Sequence, residues 1–378
     1  MKEGWEYKKL GEVCEITMGQ SPDSKSYNKD GRGLPFFQGC ADFGILNPNI
    51  STYCSEPKKV AEPLDILMSV RAPVGTLNIA NTKCCIGRGL ASFREIKNKS
   101  SYKFLYYLLK SSEKYFQDNS TGATFKAIGK ELVVNYKIKI PSINKQIEIS
   151  SELDLLSGVI EKQKAQLEEL DKLAQSIFHD MFGDPVTNEK GWELRKLKEL
   201  GQLGRGVSKH RPRNAPELLG GSMPLIQTGD VSNSGMYITA YSSTYSEIGV
   251  AQSKVWLAGT LCITIAANIG NCAILTFDAC FPDSVVGFIA NEKVALKEYV
   301  YYIFERMQSI LEANAPAVAQ KNINLKILDE LLIPLPPLSL QQEFAAKMEA
   351  IEAMKAKVRQ SLKEAETLFN ERMDYYFN

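Results

Sequence analysis

The chain is 378 residues long, 44% apolar and 24% charged, with a formal net charge of +1. That length suits two or three globular domains, and the near-neutral balance argues against a strongly basic nucleic-acid binder. Its eight cysteines form no C-x-x-C pair and it has only two histidines, so no structural zinc site is expected and buried free thiols in a reducing cytosol are; the polar stretch from Met1 to Leu10, with no apolar leader, agrees with a cytoplasmic location.

The first element, Trp5-Glu6-x-x-Lys9-Leu10-x-Glu12, leads into a polar loop from Gly19 to Tyr27. Apolar and β-branched runs at 66–70 and 76–80 predict strands, 102–115 a helix, 119–126 a flexible connection, and the residues before Pro141 a last strand. From Gln146 to Phe182 the apolar residues follow a heptad. Ile149, Leu156, Gln163, Leu170 and Ile177 hold one core position and Leu153, Ile160, Leu167, Ala174 and Met181 the other. Gly183-Asp184-Pro185 then supplies a left-handed cap and a helix breaker.

Beyond that stop the chain repeats itself. Trp192-Glu193-x-x-Lys196-Leu197-x-Glu199 restates the opening at an offset of 187, and Pro224-Leu225-Ile226-Gln227 answers Pro35-Phe36-Phe37-Gln38 at 189. Gly75, Cys85, Phe93 and Pro141 have counterparts at Gly270, Cys280, Phe288 and Pro336, an offset of 195. Such drift belongs in loops, so the late part of each copy is its rigid part. The second polar loop, Gly204 to Arg213, is basic where the first is not, with Arg205, Lys209, Arg211 and Arg213 in nine residues. Val255 to Leu275 runs 21 residues without a charge, enough to span a bilayer. Its counterpart carries Asp65 and Arg71, however, and Ala267-Asn268-Ile269-Gly270-Asn271 interrupts it, so two buried strands at 261–266 and 272–277 are expected and no membrane contact. A helix at 297–311 and a connection at 314–321 follow. The second long helix, Gln341 to Tyr376, has Phe344, Met348, Ile351, Val358, Leu362, Ala365 and Phe369 in register, Lys355 and Arg372 as lapses, and a capping box from Ser339 to Gln342 at its start.

This order predicts a mixed α/β (α+β) architecture: a first domain at 1–143, a helix at 144–183, a second domain at 184–338 and a helix at 339–378. Neither helix buries its stripe alone, and matched registers predict that the two pair as an antiparallel coiled coil rather than each packing on its own domain. About 37 residues make a rod of roughly 55 Å, with the domains at opposite ends. The first helix carries eight acids and three lysines and the second seven acids and six bases. That leaves a positive excess on the domains, which suits domains on phosphate and helices on protein.

Catalytic motifs are missing from the sequence. Gly122 to Glu131 imitates a phosphate loop, but six residues separate its glycines and Glu131 stands where a magnesium-binding hydroxyl is needed. The only Pro-Pro, Pro336-Pro337, lacks the aromatic of an amino-methyltransferase loop, and Pro22-Asp23-Ser24-Lys25 lacks the partner of a nuclease site. His179 and His210 form no acid–base constellation, so a non-catalytic chain is expected.

Two domains each followed by a long helix, with Trp-Glu-x-x-Lys-Leu at each start and Ile140-Pro141-Ser142-Ile143-Asn144-Lys145-Gln146 or Leu335-Pro336-Pro337-Leu338-Ser339-Leu340-Gln341 before each helix, resemble the DNA specificity subunit of Type I restriction-modification systems. The resemblance covers the whole chain. It implies two target-recognition domains reading an asymmetric bipartite site on double-stranded DNA, and assembly with two modification (methyltransferase) subunits and with restriction subunits. S-adenosylmethionine and ATP would sit on those partners. Candidate DNA contacts are Gln20, Ser21, Lys25, Tyr27, Gln38, Arg71, Arg88 and Lys126 in the first copy, and Arg205, Lys209, Arg211, Arg213, Gln227, Gln320 and Lys321 in the second. Cations would hold phosphate, and the glutamines could read adenine. The competing reading is a coiled-coil scaffold with two protein-binding domains.

Overall fold

The structure, a computed structural model, describes residues 4–122, 126–266, 269–314 and 323–378. It divides into two compact units, Met1–Lys164 with Ser361–Asn378, and Ala165–Gln360. Each unit therefore takes a share of both long helices, which run Ile143–Phe182 and Leu338–Phe377.

In the first unit an antiparallel four-stranded sheet runs in the order Cys14–Met18, Leu90–Glu95, Ile66–Ser69, Leu77–Ile79. A second sheet centres on the parallel pair Leu34–Phe37 and Cys84–Ile86. Strand Glu6–Lys9 pairs with Lys137–Ile140 just before the long helix, which ties the start of the copy to its end. The second unit repeats this plan. Gly201–Arg205, Val285–Ala290, Leu261–Thr264 and Cys272–Leu275 neighbour one another in one sheet, Leu219–Leu225 runs parallel to Ala279–Cys280 in another, and Glu193–Lys196 pairs with Leu332–Leu335.

The charge-free stretch forms the two expected strands, each two residues shorter than its pattern suggests. Gly270, at φ +82°, donates its N–H to the Thr264 carbonyl and makes the turn. No described helix is long and apolar enough to cross a membrane. The helix expected at 102–115 breaks into Tyr102–Ser111 and Glu113–Asp118. Ser112 causes the break: its hydroxyl donates to the Leu108 carbonyl and accepts from the Tyr136 phenol, competing with the helical backbone. The expected capping box at Ser339 is absent because the helix begins one residue earlier and its first turn hangs on the Pro337 carbonyl.

Within each unit the helices touch in the antiparallel sense. In the first unit Arg372 donates to both Glu152 carboxylate oxygens and the Tyr376 hydroxyl joins them at 2.6 Å, while Gln163 donates to Ser361. In the second, Lys355 lies between Asp171 and Glu352, 2.6 Å from each. The apparent lapses in the heptads, Gln163, Lys355 and Arg372, are thus the polar links between the helices. The expectation that the helices pair instead of packing on their domains needs correction, because they do both. Ile149, Leu153 and Ile160 join Phe104, Leu105, Tyr107, Phe369, Met373 and Tyr376 in the first core. Phe178, Phe182, Phe344, Met348, Ile351, Tyr299 and Tyr302 join the second. Leu156, Leu170, Ile177 and Leu362 pack against these cores half-buried, and Leu167 and Val358 are half-buried too. Each of the several aromatic pairs around Phe178 adds about 0.5–1.5 kcal/mol beyond its buried area.

Candidate nucleic-acid interface

Sheet-end turns of the first unit gather most of the candidate residues. The polar loop leaves its strand with Gly19 N–H on the Leu90 carbonyl and Gln20 N–H on the Ile86 carbonyl. Ser21 then accepts the Arg88 N–H at 3.3 Å. Gly87 N–H on the Phe37 carbonyl sets Arg88 beside Gln38, and Val70 N–H on the Gly89 carbonyl brings up Arg71. The approach requires glycine, since a Cβ at Gly89 would lie 2.3 Å from the Gln38 carbonyl oxygen. Ala72 N–H donates to the Lys126 carbonyl, which adds that connection to the cluster.

Gln20, Gln38, Arg71, Arg88 and Lys126 are all exposed. Among the described residues none of these three cations is ion-paired, so their charge is available to an anion. Lys25 is exposed on the short turn Ser24–Ser26, capped by Asp23. Tyr27 is half-buried, stacked 4.6 Å from Phe36, with its hydroxyl donating to the Pro22 carbonyl. Burial pushes its phenol pKa up, against the pull of the Arg88 charge.

The same frame recurs in the second unit with other side chains. Gly206 donates to the Val285 carbonyl, Val207 to Phe281 and Ile265 to Ser284, reproducing the three bonds made by Gly19, Gln20 and Val70. Ser208 therefore stands where Ser21 stands, Ala266 where Arg71 does, and Asp283 where Arg88 does. Gln38 and Gln227 are equivalent and exposed. Their backbone N–H groups donate to Asp42 at 2.7 Å and to Asp230 at 2.8 Å.

Asp283 changes the reading of the basic loop. Arg213 pairs with its carboxylate at 2.6 Å, Arg211 lies 3.9 Å from it, and Arg205 donates to its backbone carbonyl. Arg211 also donates to the carbonyls of Ser208 and His210. Of the four cations expected to contact phosphate or bases, three gather their guanidinium groups round one aspartate, leaving a surplus of positive charge, and Lys209 stays exposed. Gln252 fixes the loop by accepting from Lys209 N–H and His210 N–H. Gln320 and Lys321 lie outside the described residues.

Asp42, Asp230 and Asp283 were not singled out by the sequence, although Arg88 and Asp283 share the 195 offset and could have been compared. His179 and His210 each face a surface glutamate, Glu189 and Glu217, at 3.8 and 3.7 Å. Among the described residues no group of three His, Cys, Asp or Glu side chains could hold a metal ion. The eight cysteines are free and all but Cys40 are buried.

A family model described as the Type I restriction modification DNA specificity domain matches residues 2–172 and again 189–366. Over 179 residues the chain is 42% identical to the type I restriction enzyme MjaX specificity subunit of Methanocaldococcus jannaschii; the match covers 47% of this chain and 42% of the relative, so the chain spans under half of that protein's length. It is 20% identical to the EcoBI specificity subunit of Escherichia coli, over 92% of this chain and 79% of that one. The crystal structure of a Type I restriction-modification S subunit from M. genitalium shares the fold, with a TM-score of 0.65 and 15% identity over 99% of this chain and 96% of that one.

Proposed function

Because the chain belongs to the family of Type I restriction modification DNA specificity domains, we propose that it reads double-stranded DNA with its two domains and directs methyltransferase and restriction subunits to an asymmetric bipartite site. The observation that carries this reading is one backbone frame carrying two side-chain sets. Gln38 and Gln227 share a place and an aspartate cap, while Arg88 and Asp283, and Arg71 and Ala266, differ at matching positions. Such a pair of sites suits two unlike half-sites, with the cations on phosphate and the amides on base edges.

The chain itself would perform no chemistry. S-adenosylmethionine and ATP would be bound by the two modification subunits and the restriction subunits, in the cytoplasm. Each long helix has 40 residues, about 60 Å at 1.5 Å per residue. In this reading the helices set the gap between the half-sites, on the order of one DNA turn or more.

A gel-shift series on random and target duplexes, with and without the modification subunits, tests the reading. Affinity that falls steeply with salt supports it. Salt-independent binding, or none, favours a protein scaffold instead.

A further inference from the structure

Matching strands of the two units differ at one corner. Phe36 pairs in parallel with Cys85 as Leu225 does with Cys280, and Tyr27 lies opposite Cys54 as Leu219 lies opposite Tyr245. The two positions that carry the stacked Tyr27 and Phe36 rings in the first unit thus carry leucines in the second. Both leucines line a cavity of 190 Å³ in the second unit, together with Tyr245, which stands where the first unit has Cys54.

Its walls combine two chemistries. Leu219, Leu225 and the buried Tyr245 offer apolar faces, while Ser208, Gln227 and Arg213 offer a hydroxyl, an amide and a guanidinium. Ser208 is 6% exposed, and its buried hydroxyl has no hydrogen-bond partner among the described residues. Its counterpart Ser21 accepts the Arg88 N–H. Buried hydroxyls are normally satisfied, so one without a protein partner at a cavity wall is available to bond what enters the cavity.

The volume narrows the ligand. It is below the roughly 300–1,000 Å³ of small-molecule sites and several times the about 30 Å³ that a water occupies, which suits one planar heterocycle. Exposed Arg213 and Gln227 are placed to meet the backbone and edge of such a ring. A base edge read in place within a duplex would leave most of this volume unfilled. A base turned out of the stack would meet apolar side chains on its faces and polar groups at its edge.

We propose that this cavity receives one base of the bound DNA, turned out of the helical stack in the half-site read by the second unit. The first unit, where the Tyr27 and Phe36 rings stack at the matching positions, turns none out. The inference rests on the DNA-reading function proposed above.

The test uses the full chain in complex with its modification subunits, on its target duplex carrying 2-aminopurine at successive positions, whose fluorescence rises on unstacking. Positions that the partners methylate act as an internal control of binding, since methyltransferases turn out their own targets. The expected result is one further position, in the second unit's half-site, that brightens several-fold, with no such position in the first. Leu225→Phe, which restores a ring found in the first unit, abolishes that signal, and Ser208→Ala, which keeps the packing, weakens it and relaxes base preference there. The inference is overturned if the controls brighten and no further position does, or if the extra signal survives Leu225→Phe; either result leaves the DNA-reading function standing. Absence of salt-sensitive duplex binding overturns both.

Discussion

Arg88 and Asp283 occupy the same turn of two equivalent frames, so neutralising them should move DNA affinity in opposite directions. Arg88 is exposed with no ion pair among the described residues, and Arg88→Ala removes one available phosphate contact. Each such contact contributes about 0.9 to the slope of log affinity against log salt, so the slope should fall by about that much. Over a rise from about 50 to 200 mM salt, the variant should escape roughly 3.5-fold of the loss the parent suffers. Asp283 instead holds Arg213 at 2.6 Å and gathers Arg205 and Arg211. Asp283→Asn keeps a hydrogen-bonding side chain and releases the charge, so non-specific affinity and the salt slope should both increase. Fluorescence-anisotropy titrations of a random duplex at several salt concentrations measure both effects. Equal slopes for the parent and the two variants would refute the view that these turns face phosphate.

Deleting one heptad from each long helix, in register, shortens them by about 10 Å; the gap between methylated half-sites should shrink by about three base pairs, and an unchanged gap removes the spacing role. Gly89→Ala places a Cβ 2.3 Å from the Gln38 carbonyl and should cost about 1–3 kcal/mol in urea melts, whereas Gly39→Ala, with open space around it, should stay within about 0.5 kcal/mol. The Arg372 guanidinium beside Glu152 holds its carboxyl below the ordinary 4.5. That stability is present above pH 4.5 and is lost as pH falls through the lowered value, so Glu152→Gln should flatten the acid limb of the profile of melting temperature against pH.

The scaffold was legible where it rests on periodicity and repetition. The heptads located both long helices to within a few residues, and the constant 195 offset identified the strands and turns that recur. Local hydrogen bonding was harder to see. Ser112 breaks a helix that its flanking apolar pattern continues, and Leu338, not the cap-like Ser339, begins the second long helix. Among candidate contacts, Gln38, Arg71, Arg88 and Lys126 converge because backbone bonds between turns distant in sequence bring them together. The charge density of the basic loop says nothing of Asp283, seventy residues beyond Arg213, which pairs with it. Lys355 and Arg372 looked like flaws in the stripe because their partners, Asp171 and Glu152, lie on the other helix.

The most direct test of two unlike reading sites on one frame is the genomic methylation profile of strains in which Gln38→Ala or Gln227→Ala replaces the parent chain, expressed with the modification subunits. Each substitution removes one exposed amide from an equivalent place in one unit. The account predicts that each relaxes base preference in one half-site only, a different one for each variant, while the gap and the other half-site stay as they were. If both variants methylate the parental sites with undiminished selectivity, or if either relaxes both half-sites together, the assignment of one half-site to each domain is contradicted.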